Sequence, residues 1–353
     1  MPEDRPTSDL LDAKRALAAR WLIPGALRAA RARRLPDLIA AAGRQVHGVG
    51  IGRKETGGHS TDRLCVRLFV ARKLPRGRLS AKDVVPPFID GLPTDVVEAA
   101  PARLHVPAAG AEARVGVGSC TTGRRRARRP LVAGVSVAHS SVTAGTIAAF
   151  VRSRHSGDDA EGVFLLSNNH VLADVDRGQP GDDVYQPGPY DGGTEKDRVA
   201  RLARALRIRL GGRVANRVDA AIARLVEGQA YRAEVCSIGF VTETAEARVG
   251  LGVRKHGRTT GLTAGTVSDV SYDTLVEMDD DGGEARFVDQ VRLVRRAPFE
   301  AFGRGGDSGS LVVSASAEAR AVGLYFAGPD DGEYGVANRI QDVLEALEVE
   351  LVR

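Results

Sequence analysis

The sequence has few cysteines and no residue pattern typical of a metal site. Its 353 residues include three cysteines, Cys65, Cys120 and Cys236, which are odd in number and far apart. A disulfide framework in a chain of this length needs more cysteines. No Cys-x-x-Cys pair and no cluster of histidine and cysteine occurs, so we expect no metal ion. We therefore expect reduced, structural thiols and no cofactor.

Long apolar runs are also absent. No stretch of about 18 uninterrupted apolar residues exists, which excludes a membrane-spanning helix. The first residues, MPEDR, lead into a region rich in alanine and arginine, where charges interrupt any apolar core of a secretory signal. The sequence thus predicts a soluble, cytoplasmic protein without a membrane partner.

Aromatic residues and net charge are both low. Aromatics make up 5% of the chain and the formal net charge is +5, whereas glycine is abundant at 41 residues. This composition fits a β-barrel body with many tight turns, and the length corresponds to roughly two domains. Arginines cluster at residues 28–34 and 124–129. Neither a recognition motif nor interleaved aromatics accompanies them, so we do not expect nucleic acid as a partner.

The most informative segment that is present is GRGGDSGSLVV at residues 303–313. Ser308 lies in a glycine-rich bend that leads directly into an apolar, β-branched run. Glycine permits positive φ and close approach of the backbone, which suits a nucleophile surrounded by converging backbone N–H groups. Glycine, aspartate and serine also favour ordinary tight turns, so this segment alone does not establish a nucleophile.

A serine nucleophile needs a base, and the base needs a group that orients it. His170 is the best candidate among seven histidines because it ends the apolar run in GVFLLSNNHVL, residues 162–172, within a polar turn. Asp219 directly precedes the apolar run AAIA, where it can be buried against an imidazole. The competing carboxylates lie in charged loops: Asp174, Asp176, Asp182, Asp183 and Asp197.

The order of these three residues along the chain discriminates between folds that share the same chemistry. Subtilisins run Asp, His, Ser and α/β-hydrolases run Ser, Asp, His, whereas the chymotrypsin type runs His, Asp, Ser. The chain order here is His170, Asp219, Ser308. No histidine follows Ser308, which excludes the α/β-hydrolase arrangement.

Three segments resemble the trypsin-like (chymotrypsin-fold) serine peptidases, especially their bacterial branches. SNNHV at residues 167–171 is similar to the histidine motif of the HtrA-type members, and GGDSGS at 305–310 resembles the nucleophile motif. VRKHGRTTGLTAGTV at 253–267 is similar to the segment that opens the second barrel of streptogrisin and α-lytic-type enzymes. The resemblance spans about residues 130 to 340.

This resemblance implies a role for each candidate residue. His170 would be the general base, Asp219 its orienting carboxylate and Ser308 the nucleophile that forms an acyl-enzyme. The oxyanion hole would consist of the backbone N–H groups of Gly306 and Ser308. In many relatives the acid that precedes the serine receives a newly cut N-terminus or another internal partner, and the partner of Asp307 stays open.

The sequence departs from the family pattern at positions that often hold cysteine. Secreted relatives often have a cysteine directly after the active histidine, where this chain has Val171. Streptogrisin-type relatives often have a cysteine pair at the positions of Arg254 and Ala264. These absences agree with the expected reducing compartment, which is unusual for a largely exported family and suggests that the activity is regulated.

The fold expected is mainly β: two six-stranded antiparallel β-barrels preceded by a small α+β N-terminal domain. We place this N-terminal domain, which has no assigned function and is a candidate regulatory segment, at residues 1–120. It holds a helical region at 8–42 with Ser8 as a candidate N-cap, and strands at 46–52, 64–70 and 94–98. An exposed arginine-rich linker, a candidate cleavage site, covers 121–130. The peptidase domain covers 131–353, with barrels at about 131–240 and 250–335.

The family resemblance also suggests residues for the substrate pocket. These are Phe302, Tyr325, Phe326, Ala327 and Gly328. No acid stands among them, so we expect a pocket for small or medium apolar side chains. The segment at residues 179–197 is expected to be a surface loop, and Asn338 is a candidate cap for a closing helix.

Two classes of function fit these observations. The first is a serine endopeptidase that acts on a protein or peptide, with ester hydrolysis as a variant of the same acyl chemistry. The alternative is a catalytically silent binding or scaffold protein with the peptidase fold. The sequence leaves the oligomeric state open, and a homo-oligomer is compatible with it.

Overall fold

The computed structural model describes residues 5–24, 45–104, 123–278 and 283–352, which are mainly β, as expected. The helices are α1 Ser8–Trp21, α2 Asn169–Leu172 and α3 Ile340–Ala346, with 3-10 turns at Arg76–Arg78, Ala81–Asp83, Pro189–Asp191 and Glu195–Asp197. The strands of the first half are β1 Val46–Thr56, β2 His59–Val70, β3 Phe88–Ile89, β4 Leu92–Glu98, β5 Ala102–Arg103, β6 Leu131–Ala133, β7 Ser136–His139, β8 Gly145–Thr146, β9 Ala149–Ser153, β10 Val163–Ser167, β11 Asp183–Tyr185 and β12 Arg198–Ala205. The remaining strands are β13 Ala215–Asn216, β14 Ala221–Leu225, β15 Tyr231–Val235, β16 Gly239–Phe240, β17 Gly252–Gly257, β18 Gly261–Glu277, β19 Glu284–Arg295, β20 Leu311–Ser314, β21 Ala321–Ala327, β22 Tyr334–Arg339 and β23 Val349–Leu351.

The first barrel is a closed antiparallel ring. Strand β7 pairs with β11, β11 with β12, β12 with β14, β14 with β10, and β10 with β9. Strand β8 pairs back with β7, so β8 and β9 act as one bent strand that closes the ring. The inward-facing residues are apolar and fully buried, among them Val137, Leu165 and Ile222, and their burial is the main stabilisation of this half.

The second barrel is a ring of six antiparallel strands. Strand β17 pairs with β18, β18 with β19, β19 with β22, β22 with β21, β21 with β20, and β20 with β17. Its core contains Val253, Leu293, Phe302, Val312 and Tyr325. The expectation of two six-stranded antiparallel barrels is therefore confirmed, and strand β22 of the second barrel runs to Arg339, beyond the expected end at about 335.

The N-terminal segment extends the sheet of the second barrel. Strand β1 pairs with β18 and with β2, and β4 adds in parallel to β2. Helix α1 packs its apolar face, including Leu17 and Trp21, against these strands. The three expected strands are all present, and each is longer than expected. The division of the chain into domains at residues 120 and 131 stays a prediction.

Helix α1 differs from the expectation at both ends. Its N-cap is Thr7, whose hydroxyl oxygen accepts a hydrogen bond from the Leu10 N–H at 3.4 Å, so the choice of Ser8 was wrong by one residue. The helix ends at Trp21, and residues 25–42 of the expected helical region lie outside the described residues.

The arginine-rich segment is partly exposed: Arg126 and Arg129 are exposed, whereas Arg124, Arg125 and Arg128 are half-buried. Its role as a linker stays a prediction. Gln186 binds the segment through both ends of its amide: its Oε1 accepts from the Arg128 N–H at 2.8 Å and from Arg129 Nη1 at 2.6 Å, and its Nε2 donates to Arg126 O at 2.8 Å. Gln186 is fully buried. Residues 121 and 122 lie outside the described residues.

The segment at residues 179–197 was expected to be a surface loop, and this is wrong in part. It contains β11, which is a strand of the first barrel. Its fully buried residues Val184 and Gln186 show why turn chemistry alone was misleading.

The cysteines also differ from the expectation. Cys65 is buried and free, and burial raises the pKa of its thiol to about 12. Cys236 is disulfide-bonded, which corrects the expectation of reduced thiols throughout, and Cys120 lies outside the described residues. None of the described helices has the length and apolar character needed to cross a membrane.

Candidate active site

His170 and Asp219 form a direct hydrogen bond at the edge of the first barrel. Strand β10 ends at Ser167, and the short helix α2 that follows turns the His170 ring back over the barrel. His170 Nδ1 donates to Asp219 Oδ2 at 2.5 Å, and the His170 backbone N–H donates to Asp219 Oδ1 at 3.3 Å. With Nδ1 as the donor, the lone pair of Nε2 is available to accept a proton.

Buried amides hold Asp219 in place. Its side chain is fully buried just ahead of β14, and its backbone C=O accepts from Asn168 Nδ2 at 2.7 Å. Its backbone N–H donates to Asn338 Oδ1 at 3.1 Å, and Asn338 Nδ2 donates to Gln290 Oε1 at 2.6 Å. The second barrel therefore fixes a carboxylate that belongs to the first. This corrects the expected cap role of Asn338, because α3 has Arg339 at its N-cap and no side-chain cap bond.

Ser308 lies in a tight turn that is bound to the first barrel. Gly306 and Gly309 on either side have φ of 89° and 91°, a conformation that strongly favours glycine. Thr146 bridges the two barrels: its N–H donates to Ser308 O at 2.8 Å, and its hydroxyl donates to Gly306 O at 2.9 Å. A side chain at Gly145 would meet Val171 at 2.5 Å and Ser308 O at 3.1 Å, so the His170 helix and the Ser308 turn are neighbours.

The structure does not join Ser308 to His170 by a hydrogen bond. The Ser308 hydroxyl donates instead to Phe326 O at 3.3 Å. His170 Nε2 is buried and has no hydrogen-bond partner among the described residues. The site thus consists of a formed His–Asp pair and a nearby serine whose hydroxyl is directed to a different acceptor.

Asp307 fixes the turn from the inside. Its Oδ1 accepts from the Thr259 and Thr260 N–H groups at 2.8 and 3.1 Å, and its Oδ2 accepts from the Arg304 N–H at 2.9 Å and the Thr260 hydroxyl at 2.8 Å. Lys255 Nζ lies 3.4 Å from Oδ2, and both side chains are fully buried. Burial alone would raise the pKa of Asp307, but the Lys255 charge and these hydrogen bonds lower it overall. Asp307 therefore stays ionised and holds the Gly306–Ser308 backbone.

Sequence reasoning missed this lysine as the partner of Asp307. The available signal was a cation on β17, a strand that packs beside the nucleophile turn through its pairing with β20. Arg124 lies nearby and donates to Arg258 O and Thr259 O, both at 2.9 Å. His256, the next residue after Lys255, is buried against Gly134 O at 2.9 Å.

A second ion pair lies against Gly306. Arg258 is 1% exposed, its Nε donates to Asp191 Oδ2 at 2.8 Å, and its guanidinium lies 5.2 Å from the centre of the Tyr190 ring. A side chain at Gly306 would meet Arg258 Cδ at 3.0 Å. The loop that carries Tyr190 and Asp191 is therefore attached to the turn that would form the oxyanion hole.

The five residues expected to line a substrate pocket are close together but differ in what their side chains do. Phe302 and Tyr325 are fully buried, with ring centres 6.0 Å apart inside the second barrel. Phe326 is also fully buried and packs on Phe287 at 4.7 Å. Phe326 contacts Ser308 through its backbone C=O, which accepts from the Ser308 hydroxyl at 3.3 Å.

Comparisons with known proteins give distant structural likeness. No family model and no curated protein matches this chain. Protease A of Thermobifida fusca matches with 18% identity and a TM-score of 0.44, covering 63% of this chain and 97% of that one. Nocardiopsis protease matches with 16% identity and a TM-score of 0.44, covering 63% and 98%. The protease domain of MamO from Magnetospirillum magneticum matches with 14% identity and a TM-score of 0.35, covering 60% and 94%.

The likeness to bacterial chymotrypsin-fold serine proteases that the motifs led us to expect is thus found. At these sequence identities and TM-scores, the structural likeness does not establish an activity for this chain. The assignment of the site rests on the contacts of this chain's own residues.

Proposed function

We propose that this chain is a serine endopeptidase that hydrolyses peptide bonds through an acyl-enzyme on Ser308. The observation that carries the proposal is the buried hydrogen bond from His170 Nδ1 to Asp219, which leaves Nε2 free to take a proton beside a serine in a turn whose glycines have positive φ. A serine hydroxyl needs a base oriented in this way to act as a nucleophile.

In the proposed reaction, Ser308 Oγ attacks the substrate carbonyl carbon while its proton moves to His170 Nε2. Asp219 orients the ring and stabilises the imidazolium that forms. The Gly306 and Ser308 N–H groups stabilise the negative charge on the carbonyl oxygen, each typically worth about 3 kcal/mol in the transition state. The C–N bond then breaks, the leaving amine takes the proton from His170, and water hydrolyses the acyl-enzyme by the reverse sequence.

This reaction requires the Ser308 side chain to rotate from Phe326 O towards His170. Catalytic hydrogen bonds in enzymes without substrate are often long or unformed and tighten only in the complex. The unformed bond is also the observation that would favour the alternative, a silent binding protein with the peptidase fold. A small or medium apolar side chain is the proposed preference of the pocket.

Labelling with a fluorophosphonate probe separates the two functions, because the probe reacts with an activated serine. We expect labelling of the wild type, loss of labelling in Ser308→Ala, and strong reduction in His170→Ala. Ser310→Ala is the matched control, since Ser310 is buried in the same turn and its hydroxyl donates to Asp307 O. A wild type that never labels would favour the binding protein.

The cytoplasmic location and the regulation of the activity are part of this proposal. The location was predicted in part from reduced thiols, and the disulfide at Cys236 removes that part of the argument, because disulfides persist in oxidising compartments. A regulated activity is supported by the contacts described next.

A further inference from the structure

The chain places its own strand β5 against the backbone that runs past Ser308. The Arg103 N–H donates to Gly328 O at 3.0 Å, and the Gly328 N–H donates to Arg103 O at 3.2 Å. This is an antiparallel pair. On its other side β5 pairs in parallel with β18, and the Leu104 N–H donates to Glu277 O at 2.8 Å. The segment is thus inserted between two strands.

The direction of this pairing leads towards the candidate nucleophile. Phe326, two residues before Gly328, accepts the Ser308 hydroxyl through its carbonyl oxygen. Alternate residues of a strand present their N–H and C=O groups to the same neighbour. Because the pair is antiparallel, Leu104, the last described residue of this segment, follows Arg103 on the side of Gly328 that leads towards Phe326. An extended substrate that reaches Ser308 needs this same edge.

Side chains also secure the segment. Arg103 Nη1 donates to Asp330 Oδ2 at 3.1 Å, and Ala102 is fully buried. Leu104 packs on the apolar cluster that contains Phe326, as does Val175 from the loop after His170. Leu104 therefore lies among residues from both sides of the candidate site.

Both reactive groups of the candidate site are buried. Ser308 is 2% exposed, and His170 Nε2 is buried without a partner among the described residues. A site ready for a protein substrate needs both atoms accessible from the same side.

We propose that residues 102–104 act as a built-in pseudosubstrate, which occupies the substrate strand of the cleft and keeps the peptidase latent. The proposal rests on the proposed function. Asp330 binds the side chain at the position paired with Gly328, which is Arg103 in this segment. The external substrate that displaces the segment is therefore an extended peptide with a basic residue at the position paired with Gly328.

The test compares rates of fluorophosphonate labelling of the full chain. Arg103→Pro removes the N–H that donates to Gly328 O, while the preceding residue keeps the extended backbone that proline favours. We expect Ser308-dependent labelling to rise about tenfold or more, because this variant loses both the backbone hydrogen bond to Gly328 O and the ion pair with Asp330. Arg103→Ala is the matched control, since it loses the ion pair but keeps the ladder, and it should rise less.

A charge reversal keeps the proposal falsifiable if the proline variant does not fold. Arg103→Asp should label faster than wild type, and Arg103→Asp combined with Asp330→Arg should return to the wild-type rate. Equal rates in wild type and all folded variants would overturn the pseudosubstrate and leave the peptidase standing. No labelling of Ser308 in any of them would overturn the peptidase and, with it, this inference.

Discussion

At the scale of single residues, two histidine–aspartate pairs with the same chemistry lie among the described residues. His170 pairs with the fully buried Asp219 beside Ser308. His139 Nε2 lies 3.0 Å from Asp182 Oδ2, and that carboxylate is 39% exposed. The second ring nitrogen differs between the pairs: His139 Nδ1 accepts from the Ser141 N–H at 3.0 Å, whereas His170 Nε2 has no partner among the described residues. The two pairs therefore allow a matched comparison.

Asp219→Asn should lower kcat/KM by about 10⁴-fold, because an amide no longer holds the His170 tautomer that accepts a proton at Nε2. Asp182→Asn removes the same kind of partner from His139 and should leave kcat/KM unchanged. Both are measured with one fluorogenic peptide, and the thermal unfolding of each variant is recorded as a check on folding. Equal losses in the two variants would mean that Asp219 acts through stability alone.

The candidate triad could be predicted from the sequence because each residue follows a local signal. Ser308 lies in a glycine turn, His170 ends an apolar strand and Asp219 begins one. The residues that hold the candidate triad in place could not be predicted in this way. Asn338 reaches the Asp219 backbone N–H from a strand of the other barrel and is itself bound by Gln290. Such pairings depend on strand register, which no local pattern fixes.

At the scale of elements, the pairing of β17 with β20 brings Lys255 beneath the nucleophile turn. A buried ion pair is costly to break, because the remaining charge stays in the interior without a partner. Burial lowers the pKa of Lys255, and the Asp307 carboxylate opposes that shift. Strand β17 and the nucleophile turn of the second barrel are thus coupled through one charge pair at the base of the site.

Lys255→Met should lower the free energy of unfolding by about 3–5 kcal/mol, since it leaves Asp307 buried and unpaired. The double variant Lys255→Met/Asp307→Asn should recover part of this loss, because the orphaned charge is gone. Urea unfolding of wild type, both single variants and the double variant gives the coupling energy. Additive losses in the double variant would show that the two groups do not interact.

The fold itself was largely predictable, and the reason is again physical. Glycine turns and β-branched runs repeat along residues 131–340 and are typical of antiparallel barrels. The attachment of β1 to β18 was not foreseen, because both strands satisfy the same apolar pattern whether they form one sheet or two. The packing of Arg124 and Gln186 was missed for a similar reason: charge and turn composition predict exposure unless a distant partner is known.

At the scale of the whole molecule, two buried histidines make stability depend on pH. Burial lowers the pKa of His47 to about 4, and the hydrogen bond between His47 Nε2 and Ala99 O at 2.9 Å opposes this shift. Burial also lowers the pKa of His256 to about 4, helped by the charges of Lys255 and Arg124. One lies on β1 of the N-terminal segment and the other on β17 of the second barrel.

Because both pKa values are lowered on folding, the unfolded chain binds more protons than the native one between about pH 4 and 6.5. The free energy of unfolding should therefore have its full value above about pH 6.5. It should fall as the pH drops towards 4, by about 1.4 kcal/mol per pH unit for each histidine. His256→Asn and His47→Gln keep a donor for Gly134 O and Ala99 O but cannot titrate. Each should remove about half of the slope measured by urea unfolding between pH 4.5 and 6.5. A slope that survives in the double variant between pH 4.5 and 6.5 would contradict the assignment to these two histidines. Asp307 cannot supply such a slope, because its lowered pKa causes loss of stability only below that range.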